Sequence, residues 1–397
     1  MAERYDVDVI DLNADLHSRY RAKLEPILDF MDESRVVSDA LHLYPFYDEV
    51  DTHIDEHYEG VPWGKYQRVY ITPPSWFPTV PTKAILRLSH IIHRVSPETG
   101  IFFFGNSLGS WTNQEELKKN GVRAVHLNHL AAMDSNARPI QYDLLPTPMY
   151  EHREKYLFDL LPFLLKHGCP WGRCRFCSFC AGSNSGYVER SVKAAIEELE
   201  TLIDRYDPAA LVCRDHSLNG LNLIQFCAYV EALSRPWCGQ SRADLSGKQI
   251  EALRKAGCRL IYFGLESGSD RVLRELNKGI TSRQMSDFIK ELHSHGILPA
   301  PSLIVGAPAE EEADFEKTIQ FILDHARYLD VVNVYPFMAT PGSEFSRQEE
   351  QPVPDTPLRL LRFIHTCEDL GLKVILGEQS IEYYIFNWVR TTDKEVP

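Results

Sequence analysis

The stretch LIYFGLESGSDRVLRELNKGITSRQMSDFIKELHSHGILPAPSLIVGAP, residues 260–308, decides the fold. It begins with the apolar run 260–266 and ends with the apolar run 298–306, and both runs have the length and composition of buried strands. Between them, the apolar residues of 282–295 recur at three- and four-residue spacing, as on one face of a helix. Strand, helix and strand in this order predict a βαβ unit with two parallel strands.

The same alternation continues on both sides of this unit. The strand candidates are LPFLL (161–165), ALVCR (210–214), WCGQS (237–241), LIYFGLE (260–266), LPAPSLIVG (298–306) and VVNVYPF (331–337). Six successive strand–helix units predict an α/β fold with a partial (β/α)6 barrel over residues 151–340. Residues 341–397 are expected to form a C-terminal extension that covers the barrel and contributes specificity.

The first 150 residues are interpreted as a separate, smaller domain. Strand candidates VDVIDL (7–12), RVYIT (68–72), IFFFG (101–105) and VRAVHL (122–127) alternate with helical patterns. This pattern is typical of a parallel, doubly wound, Rossmann-like sheet. Prolines mark residues from about 128 to 155 as the linker to the barrel.

Composition narrows the class of protein. The chain has 397 residues, 44% hydrophobic and 25% charged, as expected for a globular protein with a sizeable core. Its formal net charge of −14 argues against general nucleic-acid binding, because phosphate contacts need clustered Lys and Arg. No apolar run reaches the ~18 residues of a membrane span, and the N-terminus lacks the apolar core of a signal peptide. We therefore expect a cytoplasmic location and no membrane partner.

All nine cysteines lie after residue 168, and four of them lie in HGCPWGRCRFCSFC (167–180). This segment follows the first barrel strand, so it is expected at the barrel mouth. Thiolates suit iron–sulfur clusters and zinc. A zinc site would use Cys180 as its fourth ligand, but structural zinc sites usually have a second Cys or His pair at a distance, and we find none. Three ligands would leave one iron of a cluster open to bind a substrate.

Residues 242–319 closely resemble the radical S-adenosylmethionine (radical SAM) superfamily through GLESGS (264–269), NKGIT (277–281) and SLIVGAP (302–308). The resemblance is greatest to the branch with an N-terminal cobalamin-binding-like domain. With the cysteine segment, it covers about 155–345.

The resemblance implies that Cys169, Cys174 and Cys177 hold a [4Fe–4S] cluster. The family usually spaces these cysteines CX3CX2C, whereas this chain has CX4CX2C, with Gly172 as the extra residue. Cys180 in place of Cys169 is the alternative, but a longer loop is easier to accommodate than a CX2CX2C triplet. The implied activity is reductive cleavage of SAM to a 5′-deoxyadenosyl radical, which modifies a small-molecule or peptide substrate. An electron donor such as flavodoxin or ferredoxin is the implied partner.

Strand ends around the barrel supply the candidate contacts to SAM. The candidates are Asp215, Ser217, Arg242, Glu266, Ser267, Lys278, Ser302 and Gly306. In relatives, the positions of Glu266 and Lys278 contact SAM, the second through its carboxylate, and Arg242 is expected to reach the same carboxylate or the substrate. The structural alternatives are a first-turn acid for Glu266, a solvated helix-end Lys278, and an ion pair of Arg242 with Asp244 or Asp215.

Three further expectations concern the second and fifth strands. Asp215, with Ser217 behind it, takes the place of the GGE-type segment that binds the methionine amine in many relatives. His216 is either a proton donor or structural. The SLIVGAP backbone is expected to border adenine, with Gly306 allowing close approach of the ligand.

Most other cysteines fit buried positions, but Cys213 is close in sequence to the residues expected at the barrel mouth.

Cobalamin is possible but not favoured, because 7–12 looks like the second strand of its domain and the first is missing. A DxHxxG string at Asp55, His57 and Gly60 matches the signature of a cobalt ligand, but short motifs arise by chance. The N-terminal domain is instead expected to cap the barrel. The rival functions are a cobalamin-dependent methyltransferase and, in a different class, a non-catalytic zinc-binding barrel.

Replacing Cys174 by Ala is expected to abolish both the cluster and SAM cleavage, because one of three ligands is lost. Anaerobic reconstitution of the wild type should give about four irons per chain and a broad visible absorption band at about 400 nm. The control Cys180→Ala should retain both. Loss of iron from Cys180→Ala would show that the assigned set of cluster ligands is wrong. Tight binding of zinc and no iron by the wild type would contradict the prediction of a radical SAM enzyme.

Overall fold

The computed structural model describes residues 36–38, 54–56, 58–71, 79–104, 114–125, 142–145, 147–150, 153–155, 159–177, 187–340 and 343–376. The strands in these ranges are β1 (Val36–Ser38), β2 (Arg68–Ile71), β3 (Gly100–Phe104), β4 (Val122–Val125), β5 (Leu160–Phe163), β6 (Lys166–His167), β7 (Val188–Glu189), β8 (Ala210–Cys213), β9 (Trp237–Ser241), β10 (Cys258–Glu266), β11 (Leu298–Val305), β12 (Val331–Pro336) and β13 (Lys373–Leu376). The α-helices are α1 (Thr79–Val95), α2 (Gln114–Lys119), α3 (Val192–Tyr206), α4 (Leu223–Val230), α5 (Gly247–Lys255), α6 (Asp270–Glu275), α7 (Ser282–Ser294), α8 (Glu312–His325), α9 (Glu344–Arg347) and α10 (Thr356–Asp369).

The main sheet is parallel throughout, in the order β5-β8-β9-β10-β11-β12-β13-β1. Its first six strands confirm the six that the sequence predicts. Each pair of neighbours among these six is joined through a helical segment, so their carboxyl ends lie at one edge of the sheet. This edge is where the site residues converge.

Part of the predicted C-terminal extension belongs to the main sheet. The helix α10 buries Phe363 and Cys367 against the core, and β13 then pairs with β12. Residues 356–376 therefore add a strand to the barrel sheet, which corrects the expectation that this stretch covers the barrel. The sequence boundaries at 150 and 340 stay predictions.

The two faces of the main sheet carry different cores. The outer core combines strand residues with helix residues, among them Met285, Phe288, Ile289 and Leu292 of α7, all at most 4% exposed. The inner core contains strand residues alone, including Val212, Leu260, Ala300 and Val331. Because side chains alternate along a strand, this inner core marks the floor of the barrel lumen.

The N-terminal part forms a second, smaller parallel sheet, Rossmann-like, in the order β2-β3-β4. Ile91 and Ile92 of α1 pack with Ile101 of β3 and with Trp63 in its core. Three of the four predicted strands are thus confirmed, while 7–12 lies outside the described residues. In the described part of the chain, no helix is both long and apolar enough to span a membrane.

Candidate active site at the barrel mouth

The segment that leads to the first cysteine is fixed by residues after β8. Asp215 Oδ1 accepts hydrogen bonds from the backbone N–H groups of Leu165, at 2.7 Å, and Lys166, at 3.1 Å. His216 Nδ1 accepts one from Gly168 N at 3.2 Å. An accepting Nδ1 places the ring proton on Nε2, and burial lowers the pKa of His216 to about 4, so the ring is neutral.

The extra residue of the cysteine loop has a clear conformation. Gly172 has a φ of +57°, in the left-handed region that glycine adopts without strain. The neighbouring Trp171 indole N–H donates to Asn277 O at 2.9 Å, and Asn277 Nδ2 donates to Arg173 O at 2.8 Å. A side chain at Gly279 would collide with the Trp171 ring. The longer loop is therefore packed directly on the NKGIT segment.

The three cysteines assigned to the cluster are half-buried. Cys177 N donates to Cys174 O at 3.2 Å, which forms a tight turn between them. Burial raises the pKa of Cys174 to about 11, although Lys278 and Arg242 oppose this shift. Since cluster ligands are thiolates, cluster binding must release this proton.

The donor chemistry of the loop fits a thiolate-held cluster. No group of three His, Cys, Asp or Glu side chains within the described ranges is assembled closely enough to hold a metal ion. The fit therefore rests on three half-buried thiols in one anchored loop, not on a preformed triad.

Glu266 and Lys278 form a buried ion pair at the end of β10. Lys278 Nζ lies 2.7 Å from Glu266 Oε1, and the residues are 6% and 5% exposed. The backbone of Glu266 has a φ of +62°, next to a register shift in β10 that re-aims its side chain. Burial would lower the pKa of Lys278, but the neighbouring Glu266 raises it above its usual value. A side chain at Gly264 would collide with both partners.

Arg242 joins this pair to the cysteine loop. Its Nη2 donates to Lys278 O at 3.1 Å, its Nε lies 3.1 Å from Asp244 Oδ2, and its guanidinium lies 4.8 Å from the centre of the Trp171 ring. The ion pair with Asp244 that the sequence left open is thus present. The barrel mouth brings together three charged candidates, Arg242, Glu266 and Lys278. Because Lys278 is buried, the alternative that it is a solvated lysine at a helix end is excluded.

Other candidates serve the scaffold in this structure. Asp215 uses Oδ1 for the backbone, while its buried Oδ2 has no hydrogen-bond partner among the described residues, so its predicted contact with the ligand amine stays a prediction. Ser217 Oγ lies 2.6 Å from Asn219 Oδ1, which also accepts from Arg242 N at 2.8 Å. Ser267 Oγ lies 3.1 Å from Thr318 Oγ1 of α8, so it faces the helix layer.

Gly306 also differs from expectation. It has a φ of +82°, and the space that its missing side chain leaves is filled by Thr356 at the start of α10. Glycine is required here by backbone conformation and by packing within the chain, which corrects the idea that it makes room for a ligand. Cys213 is 3% exposed in the outer core, so it is a buried residue and not a mouth residue.

The lumen holds a polar residue that the sequence reasoning missed. Ser302 and Asn333 are neighbours in register and continue the lumen face of Ala300 and Val331. Asn333 is 1% exposed, and its Oδ1 has no hydrogen-bond partner among the described residues, while Nδ2 donates to Tyr335 Oη at 3.0 Å. The sequence contained a signal for this residue, because Asn333 is a polar residue at an inward-facing position of the otherwise apolar strand VVNVYPF.

Two described residues of the DxHxxG string have contacts within the N-terminal part of the chain. The Asp55 carboxylate accepts a hydrogen bond from Arg87 Nε at 2.8 Å, and Tyr58 is buried in the N-terminal core. His57 lies outside the described residues, as does Cys180. The interpretation of this string as a cobalt-ligand signature stays a prediction.

The radical SAM superfamily model matches residues 164–322. The chain carries a radical SAM domain. This family implies a [4Fe–4S] cluster and SAM as cofactors.

Two curated relatives match the barrel region. An uncharacterized methyltransferase of Pyrococcus horikoshii is 33% identical over 208 residues, which cover 50% of this chain and 43% of that protein. A tRNA-2-methylthio-N(6)-dimethylallyladenosine synthase of Anaplasma phagocytophilum is 26% identical over 226 residues, covering 52% and 50%. The chain spans about half the length of these relatives or less.

Two solved structures share the fold. The radical SAM methyltransferase TsrM of Kitasatospora setae, with cobalamin and a [4Fe–4S] cluster bound, has a TM-score of 0.60 at 14% identity and covers 77% of this chain and 71% of its own. The cobalamin-dependent radical SAM enzyme OxsB has a TM-score of 0.56 at 15% identity and covers 88% and 54%. These two likenesses show a shared fold over 77% and 88% of this chain.

We expect substitutions in the buried Glu266–Lys278 ion pair to destabilise the protein much more than substitutions in an exposed ion pair. Lys278→Met and Glu266→Gln should each destabilise the protein by about 3–5 kcal/mol, because each leaves a buried charge unpaired, and the double variant should cost less than the sum. The matched control is Lys255–Glu251, at 2.8 Å and well exposed, where Lys255→Met and Glu251→Gln should each change the free energy of unfolding only slightly. Urea unfolding measures all of these values, and equal costs at both pairs would contradict the assignment.

Proposed function

We propose that this chain is a radical SAM enzyme in which Cys169, Cys174 and Cys177 hold a [4Fe–4S] cluster. The observation that carries the proposal is the anchored cysteine loop, which contacts the buried Glu266–Lys278 pair through Arg242. A [4Fe–4S] cluster held by these thiols would supply the electron for reductive cleavage of SAM to methionine and a 5′-deoxyadenosyl radical, and this radical would take a hydrogen atom from the substrate.

The charged residues at the mouth have complementary tasks toward SAM. Lys278 and Arg242 are cations suited to the methionine carboxylate, and Glu266 is an acceptor suited to ribose hydroxyls. Since all three are buried and already ionically paired, they are held in place before SAM arrives. Preorganised charges of this kind orient a ligand at little reorganisation cost.

The substrate is proposed to be a small molecule or a peptide side chain that enters the lumen. Above the apolar floor, the inward positions of β9, β10, β11 and β12 include Gln240, Tyr262, Ser302, Asn333 and Tyr335, which are neutral and can form hydrogen bonds. The unpartnered Asn333 Oδ1 favours a substrate that presents an N–H or O–H group. The electron donor is proposed to be a flavodoxin or ferredoxin in the cytoplasm.

Reconstituted protein, reduced with dithionite under anaerobic conditions, should convert SAM to 5′-deoxyadenosine and methionine, detectable by mass spectrometry. Lys278→Met should lower the rate by about 10-fold or more, since a carboxylate partner is lost. The exposed control Lys255→Met should match the wild type. A folded wild type with about four irons that forms no 5′-deoxyadenosine would contradict the activity.

A second candidate is cobalamin-dependent methyl transfer. It is supported by the β2-β3-β4 sheet and by the likeness to TsrM, which covers 77% of this chain. Within the DxHxxG string, the Asp55 carboxylate pairs with Arg87. A barrel-capping role for the N-terminal domain is nevertheless the first choice.

Gel filtration of the protein with hydroxocobalamin separates the two candidates. We expect the cobalamin to elute apart from the protein, in line with a barrel-capping role for the N-terminal domain. Retention at about one per chain would instead support the methyltransferase, in line with one cofactor per Rossmann-like domain.

A further inference from the structure

We infer that residues 343–348, which we name the clamp segment, are part of the cluster site and position the turn between Cys174 and Cys177. This inference rests on the proposed function. The clamp segment contains α9 and follows the sixth barrel strand β12. The family match ends at residue 322, and the sequence analysis assigns residues 341–397 only a general role in covering the barrel and in specificity.

The backbone between these two cysteines is held from both sides. Arg175 N donates to Leu276 O at 3.1 Å, and Arg175 O accepts from Glu344 N at 3.0 Å and from Phe345 N at 3.3 Å. Phe176 O accepts from Thr340 Oγ1 at 2.7 Å, just before the clamp segment. The peptide groups that orient both thiols therefore depend on residues far away in the sequence.

The Arg175 side chain forms further contacts between the cysteine loop and the clamp segment. Its Nε lies 2.9 Å from Glu344 Oε1, its Nη2 donates to Gln348 Oε1 at 2.9 Å, and its guanidinium lies 4.6 Å from the centre of the Phe345 ring. A guanidinium that meets a carboxylate, an amide and an aromatic face is restricted in both position and orientation.

Phe345 is the apolar centre of the clamp segment. It is 2% exposed and packs in a small core with Val272, Leu276, Ala307 and Phe337, against which the half-buried Phe176 of the cysteine loop also packs. This core is separate from the two cores of the main sheet. Loss of the Phe345 ring would therefore loosen the cysteine loop while the main sheet keeps its own packing.

A cluster held by three cysteines is sensitive to such loosening. The stability and reduction potential of such a cluster depend on hydrogen bonding and solvent exposure around the sulfurs. Substitution of residues that support metal ligands commonly weakens metal binding by about 10- to 100-fold. Phe345 does not touch the cluster or SAM in this proposal, so it is a positioning residue.

The test compares Phe345→Ala with Phe363→Ala in the full-length protein. Phe363 is 0% exposed and lies in α10, in the core of the main sheet, so it matches Phe345 in type and burial but not in contact with the loop. After anaerobic reconstitution, Phe345→Ala should release iron to a chelator on the order of 10-fold faster than the wild type, with an altered electron paramagnetic resonance spectrum of the reduced cluster. Phe363→Ala should keep the wild-type rate and spectrum despite a lower melting temperature, and Phe345→Leu should restore most of the retention.

The outcomes separate this inference from the proposed function. Wild-type iron retention and spectrum in Phe345→Ala would overturn the clamp, as would equal iron release from Phe363→Ala, which would indicate general destabilisation. A wild type that takes up no iron would overturn the proposed function itself.

Discussion

The cysteine loop has little regular secondary structure of its own, and its backbone polar groups must be satisfied from elsewhere. The ends of β8, β10 and β12 supply these partners: Asp215 and His216 before the first cysteine, Asn277 in the middle, and Thr340 with the clamp segment at the end. An unpaired buried backbone group costs free energy comparable to a lost hydrogen bond. The parallel order of the strands places all these partners at one edge, so the sheet topology itself determines where the thiols lie.

Charge at the barrel mouth obeys a second constraint. Glu266, Lys278 and Arg242 are buried, and apolar residues of equal volume would often serve stability as well or better. The structure nevertheless accommodates the pair with a left-handed Glu266 and with Gly264, where no side chain fits. Strain of this kind concentrates at functional sites, which agrees with a role in binding SAM.

Local patterns predicted the parts of the fold that depend on local sequence. The six barrel strands and α7 follow from periodicity, and GLESGS and NKGIT located Glu266 and Lys278. The added strand β13 was missed because its four residues carry little signal and its pairing with β12 depends on α10. The actual partners of Asp215, Ser267 and Gly306 are about 50 residues away, so only the folded structure reveals that they bind the chain itself.

The strand β12 connects the two halves of the site. Asn333 and Tyr335 face the lumen from this strand, and the chain that continues from it contributes Phe337 to the small core around Phe345 and Thr340 to the cysteine loop. A rigid strand transmits position along its length because its neighbours on both sides hold it in register. The side chains proposed to meet the substrate and those that hold the cysteine loop are therefore fixed relative to each other by one element, as a reaction that passes a hydrogen atom over a short distance requires.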